Sequence, residues 1–319
     1  VMTDNTTGHS NAALGTSALA NNTDGDSNTS VGHGAMFDNT SGANNTALGY
    51  LALGDNTTAD NSTAVGYNAL RVNTATSNTA VGYHAMSANT TGTGHVAVGS
   101  SALAANTTGT NHVAIGQVAL TSNTTGTANV ACGRATLYTN TTGADNTAVG
   151  TNALLSNTTG GQNTAIGALA LDANTTASYN TSVGYGSLSS NTTGNANTAV
   201  GGNALVTNST GSGNTAMGYK ALDTNSTGIH NTAIGAYALD ANTTGQLSTA
   251  VGYESLYSNT TGSSNQAFGR RALYLNTTGT ENSAFGYLAM DSNTTGSYNV
   301  AMGVNALGSN TTGATNTAV

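Results

Sequence analysis

The chain repeats a 17-residue unit over its whole length, and this period constrains its fold more than any other feature. Each copy carries a phrase close to Asn-Thr-Ala-Val-Gly, and we number the positions of a copy from its Ala, which is position 0. Successive copies are 17 residues apart, except for 16 between Ala64 and Ala80. Position 0 is occupied by Ala13, Ser30, Ala47, Ala64, Ala80, Ala97, Ala114, Ala131, Ala148, Ala165, Ser182, Ala199, Ala216, Ala233, Ala250, Ala267, Ala284, Ala301 and Ala318. Because self-similarity at a fixed period is the signature of repeat architectures, we expect residues 1–319 to form a single repeat array. The outermost copies are incomplete, so we expect this array to be a window on a longer chain or filament.

Fixed and variable positions alternate within each copy. Position +1 is always apolar, position +6 is always Leu or Met, and position +2 is Gly in every complete copy. Position +5 is Ala, relaxed only to Thr136, Ser187 and Ser255, whereas positions +3, +7 and +8 vary freely. Fixed apolar positions beside variable polar ones indicate an inside and an outside, as in a solenoid.

The repeat length and composition favour strands over helices. Seventeen residues cannot hold the helix pairs of helical solenoids, whose repeats have about 33 to 47 residues. The recurring Gly would cost about 1 kcal/mol each in a helix, and Thr/Val/Ile segments between Gly and Asn are typical of strands and turns. The sequence therefore predicts an all-β fold, a parallel β-solenoid (β-roll) with 17 residues per coil and about 18 coils. One strand would cover Asn-Thr-Ala-Val, a second would surround the Ala-Leu pair, and Asn-Thr-Thr-Gly would form a corner. The Gly at position +2 would occupy a corner that needs a positive φ or a close backbone approach.

The same pattern predicts which residues face the interior. We expect the apolar residues at positions +1 and +6 to point inward, with Cys132 as a buried small hydrophobe. Position −1 shares the face of position +1 in a strand, so Val96, Val113 and Val130 would point inward too. Ala at position 0 would then face away, and its restriction to Ala or Ser leaves two interpretations open. Either the interior is thin and packed on both sides of the coil, or this face meets other copies of the chain in a coaxial oligomer.

Asn at position +9 is present without exception and predicts an internal amide ladder. A side-chain amide can hydrogen-bond to its copy one coil away and to the turn backbone. The residues that represent this structural column are Asn22, Asn39, Asn56, Asn106, Asn157, Asn208, Asn259 and Asn310. A second Asn column at position −2 admits His95 and His112, which would lie about 5 Å apart on adjacent coils. They lack a third ligand, so we expect them to replace Asn as hydrogen-bonding groups and expect no metal and no cofactor.

Composition excludes several classes of function. Five Lys plus Arg against 13 Asp plus Glu cannot form the basic face of a nucleic-acid binder. No stretch approaches the roughly 20 apolar residues of a membrane span, and the single Cys132 excludes a disulfide scaffold. Titratable residues are scattered over variable positions rather than clustered, so we expect no catalytic residues and no enzyme.

Two further sets of residues are candidates for surface contacts. Tyr recurs at position +3, where exposed rings could contact sugars or partner proteins; this column contains Tyr50, Tyr67, Tyr83, Tyr219, Tyr253 and Tyr287. The Asn-Thr-Thr phrase also fits a glycosylation acceptor. The candidate attachment residues are Thr107, Thr108, Thr158, Thr159 and Asn157, although Asn157 cannot both carry a glycan and take part in an internal ladder.

The phrases NTAVG, NTAIG and NTALG, followed by xxAL and NTTG, resemble two groups of fibrous proteins. One example is Asn146–Leu154 (NTAVGTNAL) with Asn157–Gly160 (NTTG). Over the whole chain these phrases are similar to the NTAVGYxALxxNTTG repeats of phage and viral tail fibres and bacterial surface proteins. More distantly they resemble the head β-roll of YadA-like trimeric autotransporter adhesins, whose coils are shorter than 17 residues. The resemblance implies an extracellular, fibrous β-roll at a cell or virion surface, trimeric, with an attachment or spacer function.

We therefore expect the structural, non-catalytic shaft of an extracellular fibre or filament: a surface appendage, adhesin stalk or tail fibre. Its expected partners are further copies of itself, as a trimer or an end-to-end filament, and surface glycans. The alternatives are an ice-binding solenoid, since regular Thr rows can order water, and a glycan-binding solenoid that uses the Tyr column. Adjacent Thr pairs such as Thr158 and Thr159 argue against ice binding, because neighbours in a strand point to opposite faces.

Overall fold

The computed structural model describes residues 1–319, which form two compact units, Val1–Gly161 and Gln162–Val319. Each coil contributes one short strand, and no residue is helical. Nineteen strands at intervals of about 17 residues correspond to about 18 coils. The predicted fold class, an all-β parallel β-solenoid, is confirmed.

The first unit contains nine strands, and consecutive strands within it pair in parallel. These strands are β1 (Ala12–Leu14), β2 (Thr29–Val31), β3 (Thr46–Leu48), β4 (Thr63–Val65), β5 (Thr79–Val81), β6 (Val96–Val98), β7 (Val113–Ile115), β8 (Val130–Cys132) and β9 (Thr147–Val149). The register joins identical positions of adjacent coils, so that Val96 is opposite Val113. The 16-residue coil keeps this register, with Thr63 opposite Thr79.

The second unit contains ten strands with the same parallel pairing and the same register. They are β10 (Thr164–Ile166), β11 (Thr181–Val183), β12 (Thr198–Val200), β13 (Thr215–Met217), β14 (Thr232–Ile234), β15 (Thr249–Val251), β16 (Gln266–Phe268), β17 (Ser283–Phe285), β18 (Val300–Met302) and β19 (Thr317–Ala318). Ala216, for example, lies opposite Ala233. Within each unit, identical positions of successive repeats thus lie next to one another and form a column of side chains.

The predicted second strand around the Ala-Leu pair is absent, because that segment is a series of turns. In the coil that begins at β6, Ser101, Leu103 and Asn111 have φ angles of 55°, 52° and 60°. Residues at the equivalent positions of the other coils are left-handed as well. Positive φ at positions +4 and +6 is incompatible with an extended strand, so each coil changes direction here instead of pairing as a second sheet.

Gly at position +2 meets both requirements that the sequence suggested. Gly32 has a φ of 133°, which side-chain-bearing residues rarely adopt, and an added Cβ would lie 2.5 Å from the Gly49 carbonyl oxygen of the next coil. A corner with this φ and this close approach accepts only Gly.

The predicted orientation of the strands is wrong. Ala114 at position 0 is fully buried, whereas Ile115 at position +1 is 40% exposed. Val96, at position −1, is 37% exposed. The strands therefore bury their Ala and turn the larger apolar residues of positions −1 and +1 outward. Leu and Met at position +6 do point inward as expected, and Leu103 is fully buried.

The reason for this orientation is the small width of the coil. Ser30 donates from Oγ to the Ala35 carbonyl oxygen at 2.8 Å, and the hydroxyl oxygens of Ser182 and Ser187 lie 2.6 Å apart. Positions 0 and +5 of one coil thus touch across the interior, and a branched side chain between them would be overpacked. The interpretation of a thin interior accounts for the Ala columns. They are enclosed within each unit and cannot form a face between chains.

The prediction that Cys132 is buried is wrong for the same reason. It occupies position +1 of β8 and is partly exposed on the outside of the strand rather than buried. The narrow coil leaves no room inside for the side chains of position +1, so this column lies on the outside.

Candidate functional site

In each unit the Asn side chains at position +9 form a hydrogen-bonded ladder inside the corner of the coils. Within each unit, and apart from Asn73 in the 16-residue coil, Nδ2 donates to Oδ1 of the Asn one coil earlier and to the backbone oxygen three residues later. Asn106, for instance, donates to Asn89 at 2.8 Å and to the Gly109 carbonyl at 3.2 Å. The same amide-to-amide bond is made by Asn22, Asn39, Asn56, Asn157, Asn208, Asn259 and Asn310, at 2.7–3.0 Å. Apart from Asn310, these side chains are fully buried.

The 16-residue coil interrupts this ladder at one rung. Asn73 donates to the Ala75 carbonyl of its own turn at 2.7 Å, and Asn56 Oδ1 is left buried without a hydrogen-bond partner. The ladder resumes in the next coil, where Asn89 donates to Asn73 at 3.0 Å. Removal of a single turn residue is therefore compatible with the strand register but not with the amide-to-amide bond.

A second ladder at position −2 joins the strands to the corner. Asn28 Oδ1 accepts the Asn45 backbone N–H at 3.0 Å, and Asn28 Nδ2 donates to the Gly42 carbonyl at 2.8 Å. Each Asn side chain of this column extends from one turn and forms hydrogen bonds with the backbone of the next turn. This connection satisfies polar groups that would otherwise be buried without partners.

His95 and His112 replace Asn in this second ladder and reproduce its bonds. Their rings are stacked with centroids 5.2 Å apart. His95 Nδ1 accepts the His112 backbone N–H at 3.2 Å, and His112 Nδ1 accepts that of Asn129 at 3.2 Å. His112 Nε2 lies 2.7 Å from the Gly126 carbonyl oxygen. Because a carbonyl only accepts, we assign the proton of this ring to Nε2.

Burial, the largest cause, lowers the pKa of His95 and of His112 to about 4. Both rings are neutral near pH 7, and each Nδ1 accepts a backbone N–H of the next coil. No group of three or more His, Cys, Asp or Glu residues is arranged to hold a metal ion. The pair is a hydrogen-bonding substitute for Asn.

The Tyr column at position +3 lies on the outside of the coils. Tyr50, Tyr67 and Tyr83 form a stack in the first unit, with centroids 5.0 and 5.5 Å apart. In the second unit the Arg270 guanidinium lies 5.9 and 5.6 Å from the Tyr253 and Tyr287 ring centroids. Tyr219, on another coil of that unit, is also exposed. Apart from Tyr219, these rings therefore contact one another or Arg270, and all of them remain exposed to solvent.

The candidate glycan-attachment residues separate into buried and exposed positions. Asn157 is fully buried and donates from Nδ2 to Asn140 and to the Gly160 carbonyl, which leaves no room for a glycan. Thr107 is half-buried and donates to the Thr124 carbonyl at 3.1 Å, and Thr158 is half-buried as well. Of the candidate residues for glycan attachment, only Thr108 and Thr159 at position +11 are exposed.

The outer strand face, which we define as positions −1 and +1 of the strands, lies outside the coil, contrary to the prediction from the sequence. It carries Thr and Val at position −1 and larger apolar side chains at position +1. Exposed residues of this face are Leu14, Leu48, Val96, Ile115 and Val149 in the first unit, and Ile166, Met217, Ile234, Phe285, Val300 and Met302 in the second. Exposed apolar side chains gathered on one face are typical of interaction sites.

The second unit also holds a half-buried carboxyl group that the sequence did not single out. Burial, followed by the nearby Asp223 carboxylate, raises the pKa of Asp240 to about 6, and Asp240 Oδ1 has no hydrogen-bond partner. Asp223 itself lies 3.5 Å from the Lys220 ammonium nitrogen. Position +7 varies freely, so the repeat pattern contains no signal for this pair.

Comparison with known proteins assigns no family: no family model matches the chain, and no curated protein is significantly similar to it. The structure contains no helix with the length and hydrophobicity of a membrane span.

Proposed function

We propose that this chain is the structural, non-catalytic shaft of an extracellular fibre, such as a surface appendage, an adhesin stalk or a tail fibre. The observation that carries the proposal is the Asn ladder at position +9. In each unit it joins a coil to the coil before it through the same buried amide bond, with the 16-residue coil as the exception. Such a fold is quasi-one-dimensional, since each coil contacts only its neighbours and further coils extend it without changing the contacts. The extracellular location rests on the resemblance of the repeat phrases to those of fibre proteins.

We further propose that copies of the chain associate through the outer strand face. The side chains at position +1 are too large for the interior and remain exposed on an apolar surface. A second copy has the same coil spacing, so its side-chain columns can interdigitate with these columns over many coils. This face takes the place of the Ala columns as the contact between chains in the proposed trimer.

Cryo-EM of the full chain tests the proposal by giving the number of chains per cross-section and any density outside the protein. Three chains around one axis, in contact through position +1, would support a trimeric shaft. Coils of single chains stacked end to end would support a filament shaft and would contradict the outer strand face as the contact between chains. Isolated single-chain particles at all concentrations would contradict both forms of self-association.

Substitutions on the outer strand face sharpen this test. The double variant Met217→Lys with Ile234→Lys places two charges at exposed +1 positions of adjacent coils. We expect it to lower the molar mass measured by light scattering. The matched control is Tyr219→Lys, which changes an exposed side chain outside this face and should leave the mass unchanged. An equal effect of both changes would exclude the outer strand face as the contact.

Ice binding remains a second candidate because the outer strand face also presents Thr columns. Thr198, Thr215 and Thr232 lie opposite one another at position −1, with their neighbours at position +1 on the same face. Thermal hysteresis and ice-crystal shaping by the full chain would support this function. Their absence, together with self-association, would favour the fibre.

A further inference from the structure

An open cavity of about 450 Å³ lies on the outside of the first unit, within the turns that follow strands β7, β8 and β9. Its lining consists of Gln117, Val118, Arg134, Ala135, Tyr138, Asn152 and Leu155. This volume falls within the range of about 300–1,000 Å³ of small-molecule sites. The cavity lies outside both Asn ladders and the outer strand face.

The cavity exists because a small residue occupies the middle of a column of larger ones. Ala135, at position +4, lies between Val118 and Asn152 at the same position of the adjacent coils. Arg134 at position +3 and Tyr138 at position +7 are exposed and form the two sides. Most other coils carry a larger residue at position +4, such as Leu51 or Leu169.

The polar groups around the cavity are free to bind a ligand. The side chains of Gln117, Arg134, Tyr138 and Asn152 donate or accept no hydrogen bond within the protein. The first unit has two Lys or Arg residues. Arg71 pairs with Asp55 at 3.4 Å, whereas Arg134 has no carboxylate within 4.0 Å. The cavity thus contains one uncompensated positive charge in a chain whose net charge is −8.

These groups define the chemistry of a ligand. A planar guanidinium binds a carboxylate through two parallel hydrogen bonds. The two amides offer both donors and acceptors, which suits hydroxyl groups that also do both. Tyr138 combines an apolar ring with a polar hydroxyl, and Val118, Ala135 and Leu155 supply an apolar floor. A pyranose ring with one carboxylate and several hydroxyls matches this set.

We propose that this cavity binds a carboxylate-bearing saccharide, such as a uronic acid residue of an acidic glycan. The Arg134 guanidinium holds the carboxylate, the Gln117 and Asn152 amides hydrogen-bond the hydroxyls, and Tyr138 contacts the sugar ring. Ligand binding in this cavity does not depend on the proposed shaft function, because the cavity shares no residue with the Asn ladders or the outer strand face.

The first experiment measures binding of defined sugars to the full chain by ligand-observed NMR and calorimetry. Methyl glucuronide should bind at least tenfold more tightly than methyl glucoside, because a charge-assisted hydrogen bond separates the two. Its affinity should fall with added salt. Equal affinity for both sugars would overturn the proposal, and a preference for a sulfated glucoside would overturn the assignment of a carboxylate.

Three variants test the site itself. Arg134→Gln removes the charge and should abolish the preference for glucuronide over glucoside. Ala135→Leu keeps Arg134 but fills the cavity, and should weaken binding of both sugars at least tenfold. The array itself accepts Leu at this position in Leu51, Leu169 and Leu288, so this variant should fold. Tyr138→Ser, which matches Ser87 and Ser189 of other coils, should also weaken binding of both.

The matched control is Arg270→Gln, which removes an Arg from the same repeat position in the second unit, where it contacts two Tyr rings. This change should leave glucuronide binding unchanged, and circular dichroism should show the same fold for all variants. If Ala135→Leu binds glucuronide as well as the unsubstituted chain, Arg134 acts as a surface charge without a cavity and the proposal is wrong.

Discussion

Ser30 and Ala35 meet across the interior of a single coil, where the Ser30 hydroxyl donates to the Ala35 carbonyl oxygen at 2.8 Å. Ser182 and Ser187 make the equivalent contact in the second unit. The strand and the opposing turn are thus separated by little more than two small side chains. This narrow spacing determines which residues can occupy positions 0 and +5.

Enlarging a side chain at position 0 should destabilise the coil more than truncating one at position +1. Ala216→Val adds two methyl groups to a fully buried site, and overpacking of this kind costs about 1–3 kcal/mol. Met217→Ala changes an exposed residue and should cost less than about 1 kcal/mol. Ala216→Ser, which imitates Ser30 and Ser182, is the matched control. Denaturant unfolding measures all three, and a larger loss for Met217→Ala than for Ala216→Val would contradict the observed strand orientation.

Truncation of one rung of the Asn ladder should be costly. Asn208 donates to Asn191 and to the Gly211 carbonyl, and it accepts from Asn225 at 2.8 Å. Asn208→Ala leaves these buried groups without partners, at about 1–3 kcal/mol for each unsatisfied group. Thr210→Ala, at an exposed position of the same turn, should stay within about 0.5 kcal/mol. Similar losses for both, measured by unfolding or by hydrogen exchange of the adjacent coils, would show that the ladder contributes little.

The buried His pair should make stability depend on pH. The pKa of each ring is about 4 in the folded chain and about 6.5 in an unfolded chain. Between these values the unfolded state binds more protons, so stability should fall as the pH is lowered from about 6.5 to about 4. The upper limit is about 3 kcal/mol per His. Asp240 acts in the opposite direction below pH 6, because its pKa is raised on folding.

A double variant isolates the contribution of the His pair. His95→Asn with His112→Asn restores the residue that other coils carry at position −2 and leaves Asp240 unchanged. The stability difference between this variant and the unsubstituted chain should grow steadily as the pH falls from 6.5 to 4. A difference that does not change with pH would mean that the rings are protonated in the folded chain or are hydrated there.

Completing the short coil should stabilise the first unit. Insertion of one Thr between Thr74 and Ala75 yields Asn-Thr-Thr-Ala, the sequence of residues 56–59. This insertion should let the Asn73 amide reach Asn56 Oδ1, which now has no partner, with a gain of about 1 kcal/mol. The same insertion after Thr124, in a coil of normal length, should destabilise. A loss of stability in both cases, measured by thermal or denaturant unfolding, would contradict the assignment of Asn56 Oδ1 as an unsatisfied group.

The candidate site could be predicted from the sequence only where a position is restricted. Asn at position +9 stands out because it never changes, and the same residues form the observed ladder. Arg134, Ala135 and Tyr138 lie at positions that vary freely, so no column pattern marks them. Their proximity depends on how adjacent coils align, which the period alone does not describe.

The sequence by itself determined the coil length, the parallel stacking and the columns, because a 17-residue period with fixed Gly and Asn leaves few other folds. It did not determine which face of the strand is inside. The general preference for burying large apolar residues placed Val96 and Ile115 in the interior, yet both lie outside. Only the tertiary structure decided this, because the distance between strand and turn in a narrow coil admits Ala114 and excludes a branched side chain.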